Sequence, residues 1–361
     1  MKKIGIILNP YGEKESAGLG RSIFKLATSI IEQDINNFYY IFIKGNRVAE
    51  PIFNSKNYKV VFLPDTFFWL NFGLGKYKRE IDVFVFFTPS MPVFCKIKKS
   101  ILVAHDMGVF ELPSRNTKER VKRLIIRFIQ RFSFAKANKI VTVSNYTKER
   151  FIGFFPNYKN KVSVIYNGFD RIEGIGKAPV DFYTSPYFLF IGVVKGRKNP
   201  MRIIQSFEKM RENTTVKTRL VFAGRYDSNG KVCSYANKSK YSEDILFLGY
   251  VTDDERIFLY KNAFVLVYPS LFEGFGLPIL EAMSCGLPVI TSDIGATKEV
   301  SGDCALLVDP YDIDSISDAM KTLVENNETR NMFSRKGLIR EKDFSWEKAG
   351  RQYINKIKKM L

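Results

Sequence analysis

The 361-residue chain is 45% hydrophobic and 14% aromatic, enough to fill folded cores, which excludes a disordered or fibrous protein and suits two domains of ordinary size. Its formal net charge is +19 with a single histidine, and about +15 of that charge falls in residues 1–170 against about +4 in residues 171–361. Such an asymmetry points the first half toward something anionic, either nucleic acid or anionic lipid headgroups.

The start, "MKKIGIILNPYG", is basic and then apolar, but the apolar run stops after about five residues at Asn9 and Pro10. That is too short for the core of a signal peptide, and no window approaches the ~18 apolar residues of a membrane span. The cysteines Cys95, Cys233, Cys285 and Cys304 form no C-x-x-C pair and show no ligand-like spacing. A cytosolic chain with reduced thiols is the simple reading.

Along the chain, short β-branched or aromatic runs recur: "KIGIILN" at 3–9, "YKVVFLP" at 58–64, "IDVFVFFTP" at 81–89, "SILVAHD" at 100–106, "KIVTVSN" at 139–145 and "VSVIYNG" at 162–168. They are nearly continuous apolar stretches, as strands of a parallel sheet covered on both faces should be. Helical patterns lie between some of them, such as Ile23, Leu26, Ala27 and Ile30. A Gly- and Pro-containing segment without periodicity, 168–187, reads as a linker. Beyond it the theme repeats at 187–193, 219–225, 244–250, 263–270, 287–292 and 304–309. Strand–helix alternation in two blocks predicts two doubly wound α/β domains with a cleft between them, with ligands beyond the carboxyl ends of the strands.

The most specific text is "LFEGFGLPILEAMSCGLPVITSD", residues 271–293. It follows the buried run "AFVLVYPS", so "LFEGFG" is a turn at a strand's carboxyl end. Pro278 suits the first position of a helix, where its missing N–H costs nothing. Gly286 ends that helix before the next strand. Gly274 and Gly276 then bring backbone N–H groups to a helix N-terminus, an anion site that most often takes phosphate. Glu273 in the turn and Glu281 in the first helical turn would repel a phosphate unless they bind something else. A carboxylate accepts well from a diol, and phosphate with diols means a nucleotide sugar.

This segment resembles the E-x7-E region of the retaining GT-B glycosyltransferases, the large family typified by bacterial mannosyltransferases and sucrose synthase. Other stretches fit the same family in order. They are "GLGR" at 18–21, "AHD" at 104–106, "VTVSNYTKERF", "VIYNGFD", "FIGVVKGRKNP" at 190–200, "FAGR", "FLGYV" and "FSWEKAG" at 344–350. The resemblance covers the chain and is weaker from about 35 to 95. It implies the GT-B architecture: two Rossmann-like doubly wound parallel-sheet domains facing a cleft. The first is an acceptor-binding domain over 1–172, the second a nucleotide-sugar domain over 173–344, and a final helix over about 345–361 crosses back to the first.

Carried over position by position, the resemblance implies a donor site. Gly18 and Gly20 lie near the diphosphate, with Gly192, Val251, Gly274, Phe275, Gly276 and Leu277 around the donor. Arg197 and Lys198 face the diphosphate, Glu273 the transferred hexose and Glu281 the ribose. His105, Glu273, Arg197 and Lys198 then sit at the reacting centre. The leaving group is a nucleoside diphosphate, no protein nucleophile is needed, and neither metal nor other cofactor is required. Plainer readings stand beside these. "GLGR" could be a degenerate dinucleotide fingerprint, but it lacks the third glycine. His105 could be a core histidine, and Arg197 and Lys198 solvated loop charges. Asp312 and Asp314 form a D-x-D, which before an amphipathic run reads better as a helix cap than as a metal site.

The run 115–139 interleaves Lys and Arg with Val121, Leu124, Ile125, Phe128, Ile129 and Phe132. A basic amphipathic helix is a membrane-surface signature, although the stripe could equally be a core face. The resulting expectation is a cytoplasmic hexosyltransferase, peripheral at the inner face of the cell membrane. GDP-mannose is its first-guess donor and a glycan or lipid-linked acceptor its second substrate, in bacterial surface polysaccharide or lipopolysaccharide assembly. A nucleic-acid binder would explain the charge but not the glutamates or glycine loops. The alternatives are a GT-B-fold nucleotide-sugar epimerase and a non-catalytic basic binding protein.

Overall fold

The computed structural model describes all residues except 12–16, 46–49, 67–68, 115, 181 and 183–185, together with the side chain of Ala17. The chain forms two compact units, residues 1–168 with 344–361, and residues 169–343.

The first unit holds strands β1 (Lys3–Ile7), β2 (Phe38–Lys44), β3 (Tyr58–Leu63), β4 (Val83–Phe86), β5 (Ser100–Ala104), β6 (Lys139–Thr142) and β7 (Val162–Val164). Its helices are α1 (Ala17–Gln33), α2 (Trp69–Gly75), α3 (Gly108–Glu111), α4 (Thr117–Lys136) and α5 (Asn145–Phe154). The sheet is parallel throughout, in the order β3-β2-β1-β4-β5-β6-β7. Every residue of β4 and β5 is buried, which is why these runs carry no polar alternation. One strand went unread in the sequence. "FYYIFIK" is β2, and its continuous aromatic and branched run lies beside the central β1. The spacing of Ile23, Leu26, Ala27 and Ile30 does mark the buried face of α1.

The second unit holds β8 (Tyr187–Ile191), β9 (Arg219–Ala223), β10 (Ile245–Gly249), β11 (Val265–Tyr268), β12 (Val289–Ser292) and β13 (Leu306–Val308). They form a parallel sheet ordered β10-β9-β8-β11-β12-β13. Its helices are α6 (Pro200–Glu212), α7 (Lys231–Ala236), α8 (Asp253–Asn262), α9 (Leu277–Ser284), α10 (Gly295–Ser301), α11 (Ile313–Glu325) and α12 (Asn327–Arg340). All six strands coincide with runs read from the sequence. Asp312 accepts from the Asp314 N–H at 2.9 Å and so caps α11, the role its spacing suggested.

The described part of 168–187 contains no helix or strand before β8, but it is not loose. The Lys177 N–H donates to the Asp254 carbonyl at 3.1 Å, and the Ile172 N–H to Ser284 Oγ at 3.0 Å. The segment is a strap packed on the second unit. Beyond that unit the chain ends in α13 (Trp346–Lys358), which belongs to the first. There Ser29 Oγ of α1 donates to the Trp346 carbonyl at 2.6 Å, and Tyr353 is fully buried.

In each sheet the strand order reverses once, between β1 and β4 and between β8 and β11. The loops that leave those neighbouring strands diverge to opposite faces, and the crevice this opens at the carboxyl ends is where doubly wound sheets bind ligands.

Candidate active site

In the second unit the reversal brings together the loops after β8 and β11. The first runs through Gly192 (φ 129°) to a single 3-10 turn, Gly196–Lys198. Asn199 then adopts a left-handed conformation, and its buried amide donates to the Pro269 carbonyl at 3.1 Å and the Pro310 carbonyl at 2.6 Å. From the other loop, the Leu271 N–H donates to the Arg197 carbonyl at 2.8 Å. These bonds fix Arg197 and Lys198 against the segment that carries Glu273.

Glu273 is only 9% exposed. Its Oε2 pairs with Arg197 Nη1 at 3.1 Å, and its Oε1 pairs with Lys198 Nζ. Oε1 also accepts from Ser270 Oγ at 2.8 Å and from the Tyr268 hydroxyl at 3.1 Å. Lys198 also donates to that hydroxyl and lies 4.5 Å from the ring centroid. Burial opposes the negative charge, but Lys198 and Arg197 overcome it and hold the carboxyl below its ordinary range. Burial lowers the Lys198 ammonium against the pull of Glu273. Burial and the neighbouring carboxylate raise Tyr268 well above its ordinary value, so it stays a donor. The result is an ionised carboxylate of fixed orientation beneath two cations.

The turn after Glu273 ends at Gly276, whose φ of 106° is a conformation a side chain resists, and α9 begins at Leu277. Pro278 therefore occupies the second helical position rather than the expected first. It still falls in the first turn, where N–H groups lack helical acceptors. Glu281 is the fifth residue of α9, past the first turn where it was expected. Its Oε2 accepts from the Tyr260 hydroxyl at 2.7 Å, and its Oε1 pairs with Arg256 Nη1 at 3.0 Å. Both partners come from α8. Glu281 is therefore braced from a different helix than Glu273, with its side chain 17% exposed.

The remaining expected positions divide between the units. Val251 is half-buried between Gly249 and the Thr252 cap of α8. Gly274, Phe275 and Leu277 complete the β11–α9 turn. Gly18 and Gly20 lie in the first turn of α1, and a Cβ on Gly18 would meet nothing within 4 Å. His105 follows β5, and its Nε2 lies 2.6 Å from the Phe87 carbonyl. A carbonyl only accepts, so Nε2 carries the proton in the neutral ring and Nδ1 is left as an acceptor. Burial lowers the pKa of this histidine, against that bond and Asp106, and favours the neutral form.

Residues 177–339 match the model for glycosyl transferases group 1, and residues 18–172 match glycosyltransferase family 4. The O-antigen chain mannosyltransferase B of Escherichia coli is 30% identical over 290 residues, spanning 78% of this chain and 75% of that protein. The chain belongs to the group 1 glycosyltransferases. The O-antigen chain mannosyltransferase RfbU of Salmonella typhimurium is 30% identical over 228 residues, covering 63% of this group 1 glycosyltransferase and 61% of the relative. Among solved structures, a sucrose-phosphate synthase from Thermosynechococcus elongatus aligns with a TM-score of 0.74 at 17% identity, covering 100% of this chain and 99% of that one. WaaG, a glycosyltransferase involved in lipopolysaccharide biosynthesis, aligns with a TM-score of 0.72 at 16% identity, covering 98% of this chain and 99% of that one. The fold is thus that of the GT-B enzymes.

For this group 1 glycosyltransferase, the sequence named both glutamates and the Arg–Lys pair but missed the residues that brace them. Tyr268 and Ser270 were legible as the end of a strand, with nothing to mark their side chains as turned toward Glu273. Arg256 and Tyr260 lie in a segment that reads only as a capped helix. Gly224 (φ 141°) follows β9 as Gly192 follows β8, Gly249 (φ 73°) ends β10, and the shared ending in "FIG", "FAG" and "FLG" was the available signal.

Proposed function

We propose that this glycosyltransferase moves a mannosyl unit from GDP-mannose to a glycan or lipid-linked acceptor, with retention and without a metal, in bacterial surface polysaccharide assembly. The buried Glu273, held ionised between Arg197 and Lys198 at the strand-order reversal, carries the reading. Two cations against one carboxylate leave net positive charge near a helix N-terminus, which suits a departing diphosphate. The α9 dipole contributes about 0.3–2 kcal/mol, so the two cations and direct N–H bonds must supply more. The acceptor hydroxyl attacks on the face the diphosphate leaves, and its proton passes to a phosphate oxygen. Glu273 orients the hexose and Glu281 accepts from the ribose hydroxyls, and His105 of the first unit contacts the acceptor. The mannosyl assignment follows the two O-antigen mannosyltransferases that share 30% of their aligned residues with this chain.

The positive charge of the first unit supports a peripheral position at the anionic inner face of the membrane, where lipid-linked acceptors are presented. No helix among the described residues is long and apolar enough to cross a membrane. Thermal-shift measurements against GDP-, UDP- and dTDP-sugars test the donor. GDP-mannose should raise the melting temperature most, and a larger rise with a UDP-sugar overturns the assignment. Turnover in excess EDTA and NMR of the product anomer test metal independence and retention.

A further inference from the structure

Helix α4 is built inside out. Val121, Leu124, Ile125 and Phe128 are 53%, 55%, 51% and 67% exposed. At about 100° per residue these four fall on one stripe. On the same helical wheel, Lys118 and Lys122 flank that stripe on one side and Arg120 and Arg131 on the other, and all four are exposed. The face turned to the protein is polar over the helix's first half. There Arg123 donates to the Leu112 carbonyl and pairs with Glu119 at 3.0 Å. Arg127 donates to the Val109 and Phe110 carbonyls at 2.7 and 3.2 Å. Toward the C-terminal end the anchor is Ser133 and Phe134, both buried. The arginines that a core-facing helix would send to solvent are occupied with carbonyls of the 109–112 segment, and the apolar row is left outside.

We infer that α4 is the element by which the protein enters an anionic membrane surface, lying in the plane with Val121, Leu124, Ile125 and Phe128 below the headgroups and the flanking cations among the phosphates. This rests on the peripheral position proposed above and adds its site and mode. The charge is complementary at two scales. Summed over its residues, the first unit carries about +20 and the second about −1, and the cations nearest the apolar row border it on both sides. Nucleic acid fits poorly, because three of the four side chains of the row, Val121, Leu124 and Ile125, offer no stacking surface to bases and Phe128 alone could. A second copy fits poorly too. A two-fold contact through α4 would set the same lysines and arginines against themselves. A lipid surface satisfies both features, with apolar area for the acyl boundary and phosphates for the cations.

Sedimentation with phosphatidylcholine vesicles, with and without phosphatidylglycerol, tests the inference on the full chain. The wild type should bind the phosphatidylglycerol vesicles and keep part of that binding at roughly 0.5 M NaCl, where surface charges are screened but inserted side chains are not. Leu124→Ser with Phe128→Ser should weaken partitioning roughly tenfold or more with little change in melting temperature, since both side chains are exposed. In a separate Phe128→Trp variant, emission should shift to the blue and be quenched by brominated lipids. Failure of the wild type to bind anionic vesicles overturns the peripheral reading and this inference together. Binding that is fully released by salt, unchanged in the double variant and unquenched in the tryptophan variant overturns the role of α4 alone. So does a dimer in solution that the double variant dissolves without any effect on vesicle binding.

Discussion

Glu273 and Glu281 share a residue type and a motif, but their surroundings give them different consequences. Replacing Glu281 with Gln leaves Tyr260 with an acceptor and Arg256 beside Asp253, so the fold should hold. On the proposed role of Glu281 as acceptor for ribose hydroxyls, loss of that charged acceptor is worth about 1.5–3 kcal/mol, so Glu281→Gln should weaken both GDP and GDP-mannose roughly 10- to 150-fold by calorimetry. Glu273→Gln strands a buried lysine. It should lower stability by about 3 kcal/mol and cut turnover, yet leave GDP binding close to normal in the folded fraction. Equal binding losses in the two variants would mean that the roles are misassigned. His105, the only histidine, gives a cleaner signal. Its folded pKa lies below the unfolded value near 6.5, so the unfolded chain takes up the proton first. Stability should therefore fall as pH drops from above 6.5 toward the folded pKa. His105→Ala should lose that component in urea titrations at pH 7.5 and 5.5. At the higher pH it should cost about 1–2 kcal/mol for the bond to Phe87. Turnover falling further than the folded fraction then marks contact with substrate, whereas turnover that merely tracks folding marks a core residue.

At the level of elements, legibility depended on whether the chemistry lay along the chain or across it. Strands with continuous apolar runs were readable, including all six of the second unit, because burial on both faces writes itself into consecutive residues. The E-x7-E turn was readable because its glycines, proline and carboxylates are close in sequence. Tyr260 and Arg256 were not, since α8 meets α9 only through the fold, and although Tyr268 and Ser270 lie within five residues of Glu273, nothing along the chain shows that their side chains turn toward it. The α4 stripe had the right periodicity but no sign of which way it faced. That was set by where Arg123 and Arg127 find carbonyls. The glycines that end strands are a structural device of the same kind. A Cβ on Gly224 would collide with the Gly192 carbonyl at a φ of 141°, whereas one on Gly18 would meet open space. Gly224→Ala should cost roughly 2–5 kcal/mol in urea denaturation and displace the Arg197–Lys198 loop. Gly18→Ala should change stability by about 0.5 kcal/mol or less. A kinetic defect in that second variant at full stability would support close approach of a ligand there.

Across the whole molecule, the second unit is one continuous segment, 169–343, whereas the first is closed by the last helix of the chain. Helix α13 packs on α1 at Trp346, whose carbonyl accepts from Ser29, and at Gly350, where a Cβ would run into Ser29, and its Tyr353, Ile354 and Ile357 are all buried. About 175 residues of sequence separate that helix from the rest of its unit, so the unit's core is completed only after the second unit has been made. The two units should then differ in how they tolerate damage. Gly350→Leu forces α13 away from a helix backbone that cannot yield, since the obstruction includes the Ser29 carbonyl. Overpacking of this kind costs about 1–3 kcal/mol and exposes the apolar face of α1. Hydrogen exchange should accelerate in α1, α13 and β1, while protection in β8, β11 and β12 stays at the wild-type level. In the same way, a 169–343 fragment should fold and melt cooperatively, and a 1–168 fragment should aggregate or bind hydrophobic dyes. If Gly350→Leu instead loosened both sheets equally, the two units would be one cooperative body with a single stability.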